Sequence, residues 1–392
     1  MKNLVSVSLR EFLNESDDPV ALAVLGAPAG GKSFTMDKIK DVVDDSGVLR
    51  AIKSGEVLSV DKLRDEFRSK DPQDQLIGFV RAFYLMQSKY KKNPEEYGKW
   101  FKDIINIWGQ KFTKLMPELK ITVNEKDLKF AGKPAYQAIK RLKEVDAAKI
   151  IGTLDDYNDY KRVVRYFQDI KQNTAKHKKI DVSYDESGDE PNKIVNNLED
   201  LHNEDYVTDV FLIHPKNIAS NIIQNFYRVT IGGDGGRDSS KAILGAYNDI
   251  EKSKDIYLDN SEESISVSSK NLKKVADPLR KSNVPDDPKK GDKPIDLLVE
   301  VQPMEPAEAY KTFMKKLDKN QKFVFNALLK YAVYVQPGLP QEAKDVILGL
   351  VNKISNEQAI TILQRAAKSG KFRFKWGGVT PELAKRASEI IK

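Results

Sequence analysis

Near the start of this chain stand Gly26, Ala27, Pro28, Ala29, Gly30, Gly31, Lys32 and Ser33, residues whose types and spacing have a definite chemical capacity. The spacing is that of a P-loop, or Walker A motif, in which a glycine-rich turn lets backbone N–H groups ring an anion with no side chain in the way. Lys32 is suited to reach the β- and γ-phosphate oxygens of a nucleoside triphosphate, and the Ser33 hydroxyl is suited to one position on Mg²⁺. With Phe34 at the helix start, Gly26 to Phe34 are the nucleotide-binding candidates, for ATP or GTP.

Such a turn works between a strand and a helix. The apolar run Val20-Ala21-Leu22-Ala23-Val24-Leu25 precedes it and Phe34-Thr35-Met36-Asp37-Lys38-Ile39 follows, which reads as strand, turn, helix. A second short apolar run, from Val57, ends in Asp61 ahead of an amphipathic helix start. It is the only Walker-B-like run that the pattern offers. Ligands of open α/β sheets sit at the carboxyl ends of strands, which places Asp61 on the rim of the P-loop. A carboxylate there orients and deprotonates an attacking hydroxyl, or holds Mg²⁺ through water; the alternative is a cap for the helix that follows. Further along, Tyr206 to Ile213 reads as a strand, and His214, before Pro215, reads as structural rather than catalytic. Arg228 closes a helical pattern, and Gly232-Gly233-Asp234-Gly235-Gly236-Arg237 is a hinge-like run ending in a second arginine. The segment 228–240 therefore reads as a lid whose arginines stabilise charge on a transferred phosphoryl group.

Composition bounds these readings. The chain has 392 residues, room for two or three domains, and 40% hydrophobic residues, enough for a sizeable core. A net charge of +7 spread over that length permits a polyanionic partner without requiring one. With no cysteine, disulfides and thiolate metal sites are excluded. No stretch approaches the roughly 20 apolar residues of a membrane span, and the first residues lack the pattern of a signal peptide. The expectation is a soluble cytoplasmic protein, in the host cytoplasm if the source is viral.

The fold class expected is α/β: a P-loop kinase core with a parallel sheet, a large helical insertion and a mainly helical C-terminal region. Residues 1–275 form the kinase-like domain, with the insertion at about 70–147 and a polar, acidic, exposed loop at about 172–191. The insertion carries an aromatic stripe including Phe101 and Trp108, whose spacing is that of a core-facing helix side. Residues 276–306 are a Pro-rich linker with a short strand from Ile295 to Val301, and 307–392 form a separate helical domain. Its helical patterns fall near 306–317, 319–334, 341–353, 356–368 and 380–391, with Pro381 at a first helical position after Thr380. Lys371-Phe372-Arg373-Phe374-Lys375-Trp376 alternates cations and aromatics, a pattern in which the aromatics pack and the cations are solvated. The other reading is a surface for nucleic acid or an acidic protein.

Gly26 to Ser33, Val60-Asp61-Lys62-Leu63-Arg64, Phe211-Leu212-Ile213-His214-Pro215 leading through Asn217 to Arg228, and Gly236-Arg237-Asp238-Ser239-Ser240-Lys241 together resemble the zeta-toxin and polynucleotide-kinase-like group of P-loop kinases. Related proteins are common in bacteriophages. The resemblance covers residues 20–68 and 145–260. It implies that Asp61 is the base on the acceptor hydroxyl, that Arg64 serves the substrate side, and that Arg228 and Arg237 are the lid arginines. The function implied is ATP-dependent, Mg²⁺-assisted transfer of a γ-phosphoryl group to a hydroxyl of a small molecule, nucleotide sugar or nucleic-acid end. The alternative is an NTP-binding scaffold or virion-associated interaction protein without turnover. A nucleic-acid motor is a third reading, and the chain offers no sensor segments for it.

Overall fold

The computed structural model describes residues 18–42, 50–53, 55–59, 86–104, 106, 121–123, 128–130, 133–134, 157–188, 190–232, 240–272, 293–374 and 377–391. Asp61, Arg64, Arg237 and Trp376 lie outside the described residues. So do most of the expected insertion, the segment 233–239 of the expected lid and residues 276–292 of the expected linker.

The protein is α/β, with a six-stranded parallel sheet in the order β2-β3-β1-β4-β6-β5. The strands are β1 (Val20–Leu25), β2 (Glu56–Leu58), β3 (Val182–Glu186), β4 (Val207–Ile213), β5 (Ser261–Ser268) and β6 (Ile295–Gln302). β1 lies between β3 and β4, with Val24 beside Asp185 and Phe211, and Leu25 beside Glu186 and Leu212. A strand flanked on both sides and covered on both faces has to be apolar throughout, and all six residues of β1 are buried. From β1 the chain runs outward to β2, returns through β3 and crosses to β4, so the strand order reverses at β1. The carboxyl end of such a strand is where an open α/β sheet leaves a crevice. β4 is equally buried, including Asp209, whose Oδ1 accepts from the Leu297 N–H at 2.8 Å and so extends the β4–β6 ladder with a side chain. Edge strand β5 is mostly exposed and mostly polar.

Ten helices complete the labelled elements: α1 (Lys32–Val42), α2 (Arg50–Lys53), α3 (Pro191–His202), α4 (Ala219–Ile231), α5 (Lys241–Asp259), α6 (Pro306–Lys316), α7 (Lys319–Val335), α8 (Gln341–Leu350), α9 (Asn356–Ser369) and α10 (Pro381–Ile390). Ile39 of α1 and Ala51 and Ile52 of α2 cover one sheet face, against Val20, Leu22, Val24, Phe211, Ile213 and Val299. A second core joins Ile222, Ile223, Phe226 and Val229 of α4 to Phe313, Phe325, Leu328, Ala332, Ile347 and Leu363 of the C-terminal helices. Tyr227 stacks on Phe313 at 4.3 Å between ring centroids. Each large apolar side chain buried there contributes about 1.5–3 kcal/mol.

That second core corrects the expected domain layout. The helices after residue 306 begin and end within a few residues of their sequence patterns, and Pro381 follows the N-cap Thr380, whose hydroxyl accepts from the Leu383 N–H. Reciprocal capping boxes, Asp318 with Gln321 and Ser355 with Gln358, start α7 and α9. The helices are not a separate domain, however. They belong to one compact unit made of Met1–Val57 and Lys179–Lys392, because α4 offers them an apolar face that the sheet does not cover.

Leu58–Lys178 forms the other compact unit. Its described part includes the helices Pro94–Ile104 and Tyr157–Lys178. Asn173 Nδ2 donates to Glu96 Oε1 at 3.0 Å and Lys89 Nζ to Thr174 Oγ1 at 2.8 Å, while Phe101 is buried and stacks on Tyr90. Phe101 thus packs as its stripe predicts. The insertion is not wholly helical: Ile121–Val123, Leu128–Phe130 and Lys133–Pro134 form a three-stranded antiparallel sheet. Among the described residues no helix is long and apolar enough to cross a membrane.

Candidate functional site

β1 delivers the chain into the turn 26–31, and α1 begins at Lys32. Three glycines in this turn are required by space, and a Cβ at Gly30 would lie 2.9 Å from the Ala27 carbonyl oxygen. A Cβ at Gly26 would lie 2.6 Å from the Ile213 carbonyl oxygen, and one at Gly31, whose φ is 90°, would lie 2.8 Å from Pro303 Cβ. Between them the Gly30 N–H donates to the Ala27 carbonyl at 2.9 Å, and Ala29 is held at φ 59°. That left-handed conformation costs a residue with a Cβ about 1–2 kcal/mol, so something outside the turn has to oppose its relaxation. The Thr35 N–H to Gly31 carbonyl bond, 2.9 Å, opens the helical ladder. The amides of Lys32, Ser33 and Phe34 therefore have no carbonyl within the helix, and they stand at its positive end. Ser33 is exposed, and the Lys38 ammonium sits 4.3 Å from the centroid of the Phe34 ring.

Lys32 does not point into empty solvent. Its Nζ donates to Asp185 Oδ1 at 2.6 Å and to the Glu186 carbonyl at 2.8 Å, both at the carboxyl end of β3. Glu186 Oε1 is in turn 3.6 Å from the Lys193 ammonium at the start of α3. A cation, a carboxylate and the start of α1 thus meet at the point where the strand order reverses. This corrects the expectation of an exposed acidic loop over 172–191. Residues 172–178 end a helix, Val182–Glu186 is an interior strand of the sheet, and α3 starts at Pro191. β2, after which the run to Asp61 continues outside the described residues, is separated from β1 by β3.

α4 flanks the turn on another side. Asn221 Nδ2 donates to the Pro28 carbonyl at 3.3 Å and would lie 3.4 Å from a Cβ at Gly30, while Gln224 Oε1 would lie 3.8 Å from one at Gly31. Asn221, Gln224 and Arg228 are spaced i, i+3, i+7 and share one helix face. Arg228, one turn beyond Gln224, is half-buried, and burial lowers the pKa of its guanidinium. Among the described residues it has no ion-pair partner. Arg228 thus lies in the last turn of α4, the helix whose sequence pattern it closes. α4 ends at Gly232, a left-handed C-cap against which the Phe374 ring is seated. Phe374 belongs to the short hairpin Arg373–Phe374 with Gly377–Gly378, where Phe372 packs on the helical core and Lys371 and Arg373 are exposed.

His214 is fully buried at the end of β4. Its Nε2 is 2.6 Å from Glu251 Oε1, and its ring lies 4.4 Å from that of Tyr247. Lys254 bridges Glu251, at 3.2 Å, and Glu300 of β6, at 2.6 Å. The His214 hydrogen bond and the Lys254 charge hold the Glu251 carboxyl down at about 2.

The structure brings Gly26 to Phe34 together with the helix that carries Arg228. Asp185 and Asn221 are the site residues that the sequence reading lacks. The signal for Asp185 was present as Ile180-Asp181-Val182-Ser183-Tyr184, a short β-branched and aromatic run followed by the acids Asp185 and Glu186. The dense polar residues after it outweighed that run. For Asn221 no local signal existed, because its role depends on a partner 193 residues away. The chain matches no family model, no curated protein and no solved structure.

Proposed function

We propose that this protein is an ATP-dependent phosphotransferase of the P-loop kinase type, moving a γ-phosphoryl group to a hydroxyl of a small molecule, nucleotide sugar or nucleic-acid end. The observation that carries the reading is Lys32. It stands at the first position of α1, after a glycine-rich turn on the central strand, with its ammonium 2.6 Å from a carboxylate on the neighbouring strand end. A triphosphate in that turn accepts from the amides of Lys32, Ser33 and Phe34 and takes Lys32 away from Asp185. The half-buried Arg228, a guanidinium short of solvent and of partners among the described residues, adds a second positive charge on the α4 face that carries Asn221 and Gln224.

The residues fit a magnesium ion brought in with the nucleotide. Among the described residues no group of three or more His, Asp or Glu forms a cage of its own. The exposed Ser33 hydroxyl and the Asp185 carboxylate are the protein oxygens that would hold a Mg²⁺ arriving with the nucleotide. Bound there, the ion supplies charge neutralisation on the β- and γ-phosphate oxygens. In the transfer, the acceptor oxygen forms its bond to the γ-phosphorus as the bond to the β–γ bridging oxygen breaks, and Asp61 takes the hydroxyl proton. Arg64 serves the acceptor side and Arg237 joins Arg228, roles that rest on the family resemblance.

A radiolabelled-ATP screen against nucleic-acid 5′-hydroxyls, nucleosides and nucleotide sugars tests the reading, with label expected in one acceptor class. Asp61→Asn is expected to abolish transfer while nucleotide binding persists. Nucleotide-dependent thermal stabilisation with no transfer across the panel would instead favour the NTP-binding scaffold. That alternative draws on one observation: α4 joins the turn to the C-terminal helical core, so nucleotide occupancy has a packed route to that surface.

A further inference from the structure

We infer that Asn221 is a positioning residue for the phosphate site, clipping the turn into its anion-binding shape from the C-terminal helical core. The inference rests on the nucleotide-binding reading of the turn and adds to it a residue outside the motif. Asn221 is completely buried, its Nδ2 donates to the Pro28 carbonyl, and its Oδ1 is buried with no hydrogen-bond partner. On the other side of α4, Ile222 and Phe226 are fully buried against the C-terminal helices, so the carboxamide is presented from a rigid support.

The residue after the clipped carbonyl is Ala29, at φ 59°. A non-glycine residue there relaxes toward negative φ unless its neighbours are held. Relaxation would rotate the Pro28–Ala29 peptide and free its carbonyl to turn toward the cradle. A carbonyl oxygen facing a triphosphate is repulsive, whereas one drawn toward α4 leaves the N–H groups to face the anion. Asn221 therefore acts on binding through the turn, without needing to touch the nucleotide.

The test uses the full-length chain and calorimetric titration with Mg-ATP at pH 8 and pH 6, for wild type, Lys32→Ala, Asn221→Ala and Asn221→Asp, with thermal melts to verify folding. Loss of one buried hydrogen bond predicts about tenfold weaker Mg-ATP binding by Asn221→Ala at both pH values. Asn221→Asp is isosteric. As a carboxylate it has no proton to donate to the Pro28 carbonyl, and burial lifts its titration toward neutral. Its deficit against wild type is expected to be about tenfold or more at pH 8 and to shrink at pH 6, where the protonated carboxyl donates again. A purely structural role does not produce that recovery. Folded Asn221 variants that bind within twofold of wild type, or an Asn221→Asp deficit equal at both pH values, overturn the inference while a Lys32→Ala loss keeps the nucleotide site. Wild-type binding that Lys32→Ala leaves unchanged overturns both.

Discussion

Two charged constellations sit at the carboxyl ends of this sheet, one built on Lys32 and Asp185, the other on His214, Glu251, Lys254 and Glu300. Both pair a cation with a carboxylate at about 2.6 Å. They differ in what surrounds the pair. The Lys32 and Asp185 side chains keep 23% and 37% of their surface, next to helix-start amides that no helical carbonyl satisfies. His214 keeps none, and it is enclosed by Tyr247, Glu251 and the strand end of β6. The first pair can exchange its partner for a ligand; the second fastens α5 to β4 and β6. Distance alone does not separate a binding site from a structural lock, whereas access and unmet hydrogen-bonding capacity do.

The sharpest way to break this contrast is to remove one nitrogen side chain from each. Lys32→Ala is expected to weaken Mg-ATP binding at least about a hundredfold, since it deletes the ammonium that stands at the first position of α1 beside the turn, with a melting temperature close to wild type. Calorimetry and thermal melts read both quantities. His214→Ala is expected to behave in the opposite sense. It opens a cavity where His214 is fully buried and strips the His214 hydrogen bond from Glu251, a cost of about 2–3 kcal/mol in urea unfolding, with Mg-ATP affinity within about twofold of wild type. If both variants lose affinity and stability together, the two constellations are one site and the distinction fails.

The same contrast explains what could be read in advance. The turn 26–33 is encoded locally, by glycines whose Cβ atoms have no room and a buried strand that is apolar at every position, so it was legible from eight consecutive letters. Likewise, the C-terminal helices carry their own caps, and their limits were legible for that reason. β3 was not legible. Val182-Ser183-Tyr184-Asp185-Glu186 is half polar because its last residues face the crevice rather than the core, and functional strand ends are where the apolar pattern has to fail. The union of α4 with the C-terminal helices was hidden for a different reason. A helix that is apolar over most of its circumference announces burial, yet nothing in its own sequence says which distant element supplies the cover.

A smaller effect sharpens the role of the exchangeable pair. In the structure Asp185 competes for the ammonium that a phosphate needs, so Asp185→Asn is expected to leave ATP binding without magnesium unchanged or up to about threefold tighter. Its other expected effect is on the metal: the gain in affinity on adding Mg²⁺ should fall about tenfold, the worth of one charged ligand or charge-assisted hydrogen bond. Titrations with and without the ion read the two effects separately. A variant that loses affinity equally in both conditions would mean that Asp185 only orients Lys32.

The smallest expected effect concerns acid. Glu251 titrates at about 2, below the ordinary carboxylate value of 4.5, because His214 and Lys254 favour its charged form. A carboxyl with a depressed native pKa stabilises the fold above its ordinary value, and that contribution disappears as pH falls from 4.5 toward 2. The carboxylate is 42% exposed, so solvent screening reduces its worth to about 1 kcal/mol or less. The neighbours able to modify the titration are His214, Lys254, Glu300 and the Tyr247 hydroxyl. Glu251→Gln is therefore expected to lower the urea midpoint slightly at pH 7 and to flatten its decline between pH 5 and pH 3. An acid profile identical in Glu251→Gln and wild type would show that the His214 cluster owes its hold on α5 to packing around His214 and Tyr247 rather than to charge.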